Sequence, residues 1–111
     1  MRAVASVVRA PDVKALQAVG DAVREQPGAT VAALGATFDD QKSALLVVVT
    51  DEARARGLRA DEVVRDLASH AGGRGGGKPH MAQAGIPDGS RLPDALAQLE
   101  AVVRAHLSRG P

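Results

Sequence analysis

The chain has no cysteine, tryptophan or tyrosine, and Phe38 is its single aromatic residue. Without thiols it can hold neither a disulfide framework nor a thiolate metal site. Without aromatics it lacks the platforms on which single-stranded nucleic acids usually stack their bases. No apolar run approaches the roughly 20 residues of a membrane-spanning helix. The N-terminus has no cationic region followed by an unbroken hydrophobic stretch, so it does not read as a signal peptide, and the cytoplasm is the expected compartment. One further absence is local. From Ser69 to Pro87 there is no acidic residue, while His70, Arg74, Lys78 and His80 all fall inside. A net charge of +1 gives no global pull toward nucleic acid or membrane, yet this segment is positive.

What is present is aliphatic. Apolar residues make up 45% of 111 residues, almost all Val, Leu and Ala, enough for one domain spanning 1–111. Residues 3–8 (AVASVV) read as a first strand. Pro11 suits a helix start, and Val13, Leu16, Val19 and Val23 recur at helical spacing to about Gln26, before Pro27-Gly28. The runs "ATVAALGATF" and "SALLVVVT" flank Asp39-Asp40-Gln41-Lys42 and read as a hairpin of central strands. The second has no alternation, as expected when both faces are covered. Asp51 to Gly57 reads as a short helical or looped excursion. "RADEVVRDLASHAGG" reads as a helix, with Asp61 and Glu62 at its positive end and Gly72-Gly73 as its stop. "MAQAG" suggests a short strand and Pro87-Asp88-Gly89-Ser90 a turn. A last helix starts near Pro93, with Leu92, Leu96, Leu99 and Val103 on one face and Arg104 and Arg109 near its end. The order is β-α-β-β-α-(Gly loop)-β-α, a small α/β sandwich in which three helices pack on a mixed β-sheet.

Five of the six residues from Gly72 to Gly77 are glycine, the other being Arg74. Gly72, four residues, Gly77 and Lys78 match the opening of the phosphate loop G-x-x-x-x-G-K-[ST]. Pro79 then stands where a hydroxyl must hold magnesium, and the segment follows a helix, not a strand. Nucleotide hydrolysis is therefore disfavoured. Bare backbone beside cations still suits an anion, because successive N–H groups can face one concavity with no Cβ in the way. The competing reading is a tight turn that lets the helix pack close to the sheet. Both stay open on the residues alone.

Other chemistries find less support. His70, His80 and His106 lack ligand spacing for a metal and read as surface residues. Ser69 and His70 are helix neighbours pointing about 100° apart, which does not suit a nucleophile and its base. Asp39-Asp40 reads as turn chemistry.

"GGRGGGKPHMAQAG" resembles the signature of the C-Ala, or DHH-associated, domain of alanyl-tRNA synthetases, GG-[KR]-GGG-[RK]-P-D-MAQAG-G. The likeness extends to the upstream helix, the paired strands and the "LPDALAQL" helix. His80 stands where the signature has aspartate, and Ile86 where it has a second glycine. The resemblance implies a C-terminal piece of a longer synthetase that contacts the outer corner of tRNA, where the D and T loops meet, and helps link aminoacylation with editing. It implies no catalysis by this piece and no cofactor in it, since ATP, magnesium and the editing zinc belong to other modules. The implied partners are tRNA and the synthetase's other domains, with no membrane. The candidate nucleic-acid contacts are Arg74 and Lys78 for phosphates, and Gly73, Gly75, Gly76 and Gly77 as backbone donors. His80 and Gln83 are further hydrogen-bonding candidates, and Arg65 and Arg91 would widen the patch. A single-strand-binding appendage of a DHH phosphoesterase and a purely structural interdomain module are the alternatives.

Overall fold

The continuous apolar run "SALLVVV" can only be satisfied between two packed layers, and that is where it lies. The computed structural model describes residues 1–108. Strands β1 (Arg2–Val7), β2 (Thr30–Thr37), β3 (Ser43–Val49), β4 (Arg74–Gly77) and β5 (Met81–Ile86) form one mixed sheet in the order β1-β2-β3-β5-β4. β1 runs parallel to β2 across the crossover helix α1 (Val13–Arg24), and every other pairing is antiparallel. β3 is buried along its whole length. Leu45, Val47 and Val49 face one core, while Ala44, Leu46 and Val48 face the other.

The first core is closed by α2 (Asp51–Ala55), α3 (Ala60–Ser69), α4 (Leu92–Leu96) and α5 (Leu99–Ser108). The second is closed by α1, with Ala10 and Phe38 from the neighbouring loops. Asp12 caps α1, accepting from the Ala15 N–H at 2.9 Å, so Pro11 sits just outside the helix. Of the apolar stripe read from the sequence, Leu16 is fully buried, whereas Val13 and Val19 are exposed. α1 comes close to the sheet at Gly20, where an added Cβ would lie 2.7 Å from Leu46 and 3.0 Å from the Met81 sulfur.

The α/β class, the mixed sheet and the helix layers are as expected, with two differences inside them. The glycine run is not a loop but the edge strand β4, paired with β5 from Arg74↔Gly85 to Gly77↔Ala82. Glycine is poor at forming strands by itself, but a partner strand and α3 hold this one in place. The closing helix is also broken. α4 lies over β2, with Leu92 and Leu96 against Gly35, and also touches β1 and α3, while α5 packs on α3 and β1. Arg109 lies outside the described residues.

His106, expected at the surface, is buried on α5. Its Nε2 lies 2.6 Å from the Asp66 carboxylate on α3, and Glu62 is 3.9 Å from its Nδ1. This is a polar clamp between two helices. His106→Ala should lower unfolding stability by about 1–3 kcal/mol, because it removes a charge-assisted contact and leaves a hole. A urea titration checks this, and an unchanged midpoint would mean the clamp contributes nothing.

Candidate nucleic-acid interface

α3 ends by geometry that the glycines make possible. Gly72 adopts φ +69°, the left-handed conformation, and the Gly73 N–H returns to the Ala68 carbonyl at 2.9 Å. This is the six-to-one bond of a Schellman cap. Arg91 completes the stop by donating to the His70 carbonyl at 2.8 Å. Arg91 is thereby occupied within the fold, and Arg65 is exposed on α3.

β4 then runs along the open edge of the sheet. Its turn is closed by the Lys78 N–H donating to the Met81 carbonyl at 3.1 Å. Antiparallel pairing alternates bonded and unbonded residue pairs, so Gly76 and Arg74 bond to β5, while the amides of Gly75 and Gly77 point outward. The four glycines proposed as donors thus divide. Gly73 is engaged in the helix cap and Gly76 in the ladder, and Gly75 and Gly77 present N–H groups at the edge.

The side chains divide as well. Arg74 and Lys78 are exposed at the two ends of β4, about 13 Å apart at the usual strand rise. Among the described residues neither forms an ion pair. Gln83 lies opposite Gly76 on the sheet face that α1 packs against, and the Gln17 side-chain amide of α1 donates to it at 3.3 Å. A shallow concavity there is lined by Gln17, Gly76, Lys78, His80, Met81 and Gln83. His80 is half-buried in the β4–β5 turn. Burial and the charges of Arg24, Lys78 and Arg54 hold its imidazole below the ordinary value, with Asp51 opposing them. Arg24 on α1 and Arg54 on α2 are members of this basic surface that sequence reading missed. Their distance from the glycine segment along the chain hides the contact, and only the α1 and α2 packing reveals it.

Among the described residues no cluster of three or more His, Asp or Glu is arranged to hold a metal ion, and no helix is long and apolar enough to cross a membrane. The site is a cationic strand edge with bare backbone, flanked by two amides.

A mixed sheet with this edge strand defines a known class of domain: residues 1–105 match the family described as the DHHA1 domain, and the chain belongs to it. More particularly, the chain is similar to alanine–tRNA ligases. It is 39% identical over 104 residues to that of Myxococcus xanthus (strain DK1622) and 37% identical over 105 residues to that of Roseiflexus sp. (strain RS-1). These alignments take in 94% and 95% of this chain but 12% of each ligase. The fold matches the crystal structure of the C-Ala domain from Aquifex aeolicus alanyl-tRNA synthetase with a TM-score of 0.76, covering 91% of this chain and 89% of that one at 24% identity. The resemblance carried by the glycine signature is borne out.

Proposed function

We propose that this chain is a single domain from the C-terminal part of a cytoplasmic alanyl-tRNA synthetase, and that it holds the outer corner of tRNA, where the D and T loops meet, while the rest of the enzyme aminoacylates or edits. Its own role in that scheme is binding, not catalysis. The observation that carries this reading is the edge strand β4. Two cations without acidic partners bracket outward N–H groups on a segment that no carboxylate shares. Such a surface suits RNA phosphates and 2′-hydroxyls, and it has no aromatic residue for base stacking. The similarity to alanine–tRNA ligases supplies the class of RNA.

The test is a titration of the 111-residue chain with a folded tRNA transcript and with single-stranded RNA of equal length, at two salt concentrations. Wild type should prefer the folded RNA. The Arg74→Ala/Lys78→Ala double variant should bind at least about tenfold more weakly at low salt, with a shallower salt slope because fewer counterions are displaced. Equal binding to both RNAs would point instead to the phosphoesterase-type appendage. Undiminished binding by the double variant would remove β4 from the interface.

A further inference from the structure

The sheet end nearest the β4–β5 turn gathers charge from three separate elements. At Gly20 the α1 backbone lies against Leu46, Val48 and Met81, and Arg24 stands one turn later on the same helix face, as the last residue of the helix. The Val49 N–H donates to the His80 carbonyl at 2.9 Å, so the chain leaving β3 carries α2, and Arg54 with it, beside the turn. The Ala60 N–H donates to the Pro79 carbonyl at 2.8 Å, which ties the turn to α3 as well. Lys78 and His80 are the turn's own side chains.

We propose that Arg24, Arg54, Lys78 and His80 form a phosphate-binding site at this end of the sheet, separate from the contact made by Arg74. The proposal rests on the RNA reading above, and it adds a second anchoring point and two residues from outside the glycine segment. The charged groups facing His80 are Arg24 from α1, Arg54 and Asp51 from α2, and Lys78 from its own turn. Asp51 is the only acid among them, and it is engaged by Arg54 at 3.4 Å, an exposed pair that a phosphate can replace. Neither Arg24 nor Lys78 forms an ion pair among the described residues. Three cations thus face the imidazole against a single carboxylate, and a phosphate oxygen would both neutralise the excess charge and accept from the ring.

The cluster has a titration signature. In the free protein the imidazole is held below its ordinary value, so the unfolded chain takes up this proton first as pH falls. The stability associated with a neutral His80 is present above about pH 6.5 and is lost on acidification. Bound phosphate reverses the sign by favouring the charged ring. Binding is then coupled to proton uptake and strengthens toward acid.

The experiment is an NMR titration of the His80 ring of the 111-residue chain with inorganic phosphate. The resonance is assigned by its absence in His80→Asn, and Arg24→Gln is measured alongside. Phosphate should shift the His80 resonance and raise its titration midpoint, and Arg24→Gln should weaken the response by about three- to tenfold. No response at His80, or one unaltered by Arg24→Gln, would overturn the site. Binding of the tRNA transcript is then compared at about pH 6 and about pH 8, and wild type should gain affinity toward acid where His80→Asn does not. If phosphate is bound as described but tRNA is not, the site stands and the RNA reading fails. If tRNA binds through Arg74 with no gain toward acid, the RNA reading stands and this second anchor fails.

Discussion

Gly75→Ala should cost this domain about 3 kcal/mol of stability, whereas Gly76→Ala, one residue along the same strand, should cost nothing. A Cβ at Gly75 would lie 2.5 Å from the Ala84 Cβ, 2.6 Å from the Gln83 carbonyl oxygen and 2.7 Å from the Ala84 Cα. These atoms belong to the paired strand, mostly to its backbone, and Ala84 is itself pinned in the core. They cannot rotate aside as the end of a long side chain would, so β4 must move off β5. That movement would also disturb α3, which packs on both. At Gly76 an added Cβ meets nothing within 4 Å, and the backbone conformation is one any residue adopts. Alanine there should raise stability by up to about 1 kcal/mol, because glycine loses more conformational freedom on folding. Urea unfolding of the two variants checks the contrast. Equal midpoints would mean that the strands do not approach as closely as described. The same pair separates fold from function. Gly76 faces outward beside Gln83, so Gly76→Ala should fold normally yet bind tRNA more weakly than wild type if RNA rests on that face.

This contrast is invisible in the sequence, where the two glycines are neighbours in one monotonous run. Hydrophobic patterning makes β3 and α3 legible, since "SALLVVV" and Val63, Val64 and Leu67 can be buried in few other ways. The Gly72-Gly73 stop is equally legible, because a left-handed cap asks for glycine. β4 is not legible. Four residues, three of them glycine, carry no strand propensity, and pairing with β5 decides their state. The same limit applies to α1, where the buried residues are Leu16 and Gly20, while Val13 and Val19, which help set the periodicity, are exposed. For the candidate site, Arg74, Lys78, His80 and Gln83 were readable because they lie within one short segment. Arg24 and Arg54 join it from about 50 and 20 residues away, through packing that no local pattern encodes. His106 shows the opposite failure. A lone histidine on a helix reads as a surface residue, and its burial depends on Asp66 across the helix interface.

Thr50→Val should destabilise the domain by about 2–4 kcal/mol, although the two side chains have nearly the same shape. The Thr50 hydroxyl is a junction. It accepts from the Thr30 N–H at 2.9 Å and from the Ala53 N–H at 3.4 Å, and it donates toward the Gly28 carbonyl at 2.9 Å. One oxygen therefore fixes the entry to β2, the turn before it and the first turn of α2. Thr50 is almost fully buried and Thr30 nearly so. Valine leaves the Thr30 amide without its acceptor in a place water does not reach, which is the costly way to lose a hydrogen bond. It also uncaps α2, a helix of five residues with little to hold it otherwise. Thr50→Ser keeps the oxygen and should recover most of the loss in the same urea titration. If Thr50→Ser is as unstable as Thr50→Val, the lost methyl contacts and not the hydroxyl are responsible. The consequence reaches the basic surface, because α2 carries Arg54 to the β4–β5 turn. Loosening that helix should weaken the His80 response to inorganic phosphate in Thr50→Val even where the protein remains folded. Arg74, at the far end of β4, should still contribute its full share to tRNA binding, because β4, β5 and α3 do not depend on the Thr50 junction.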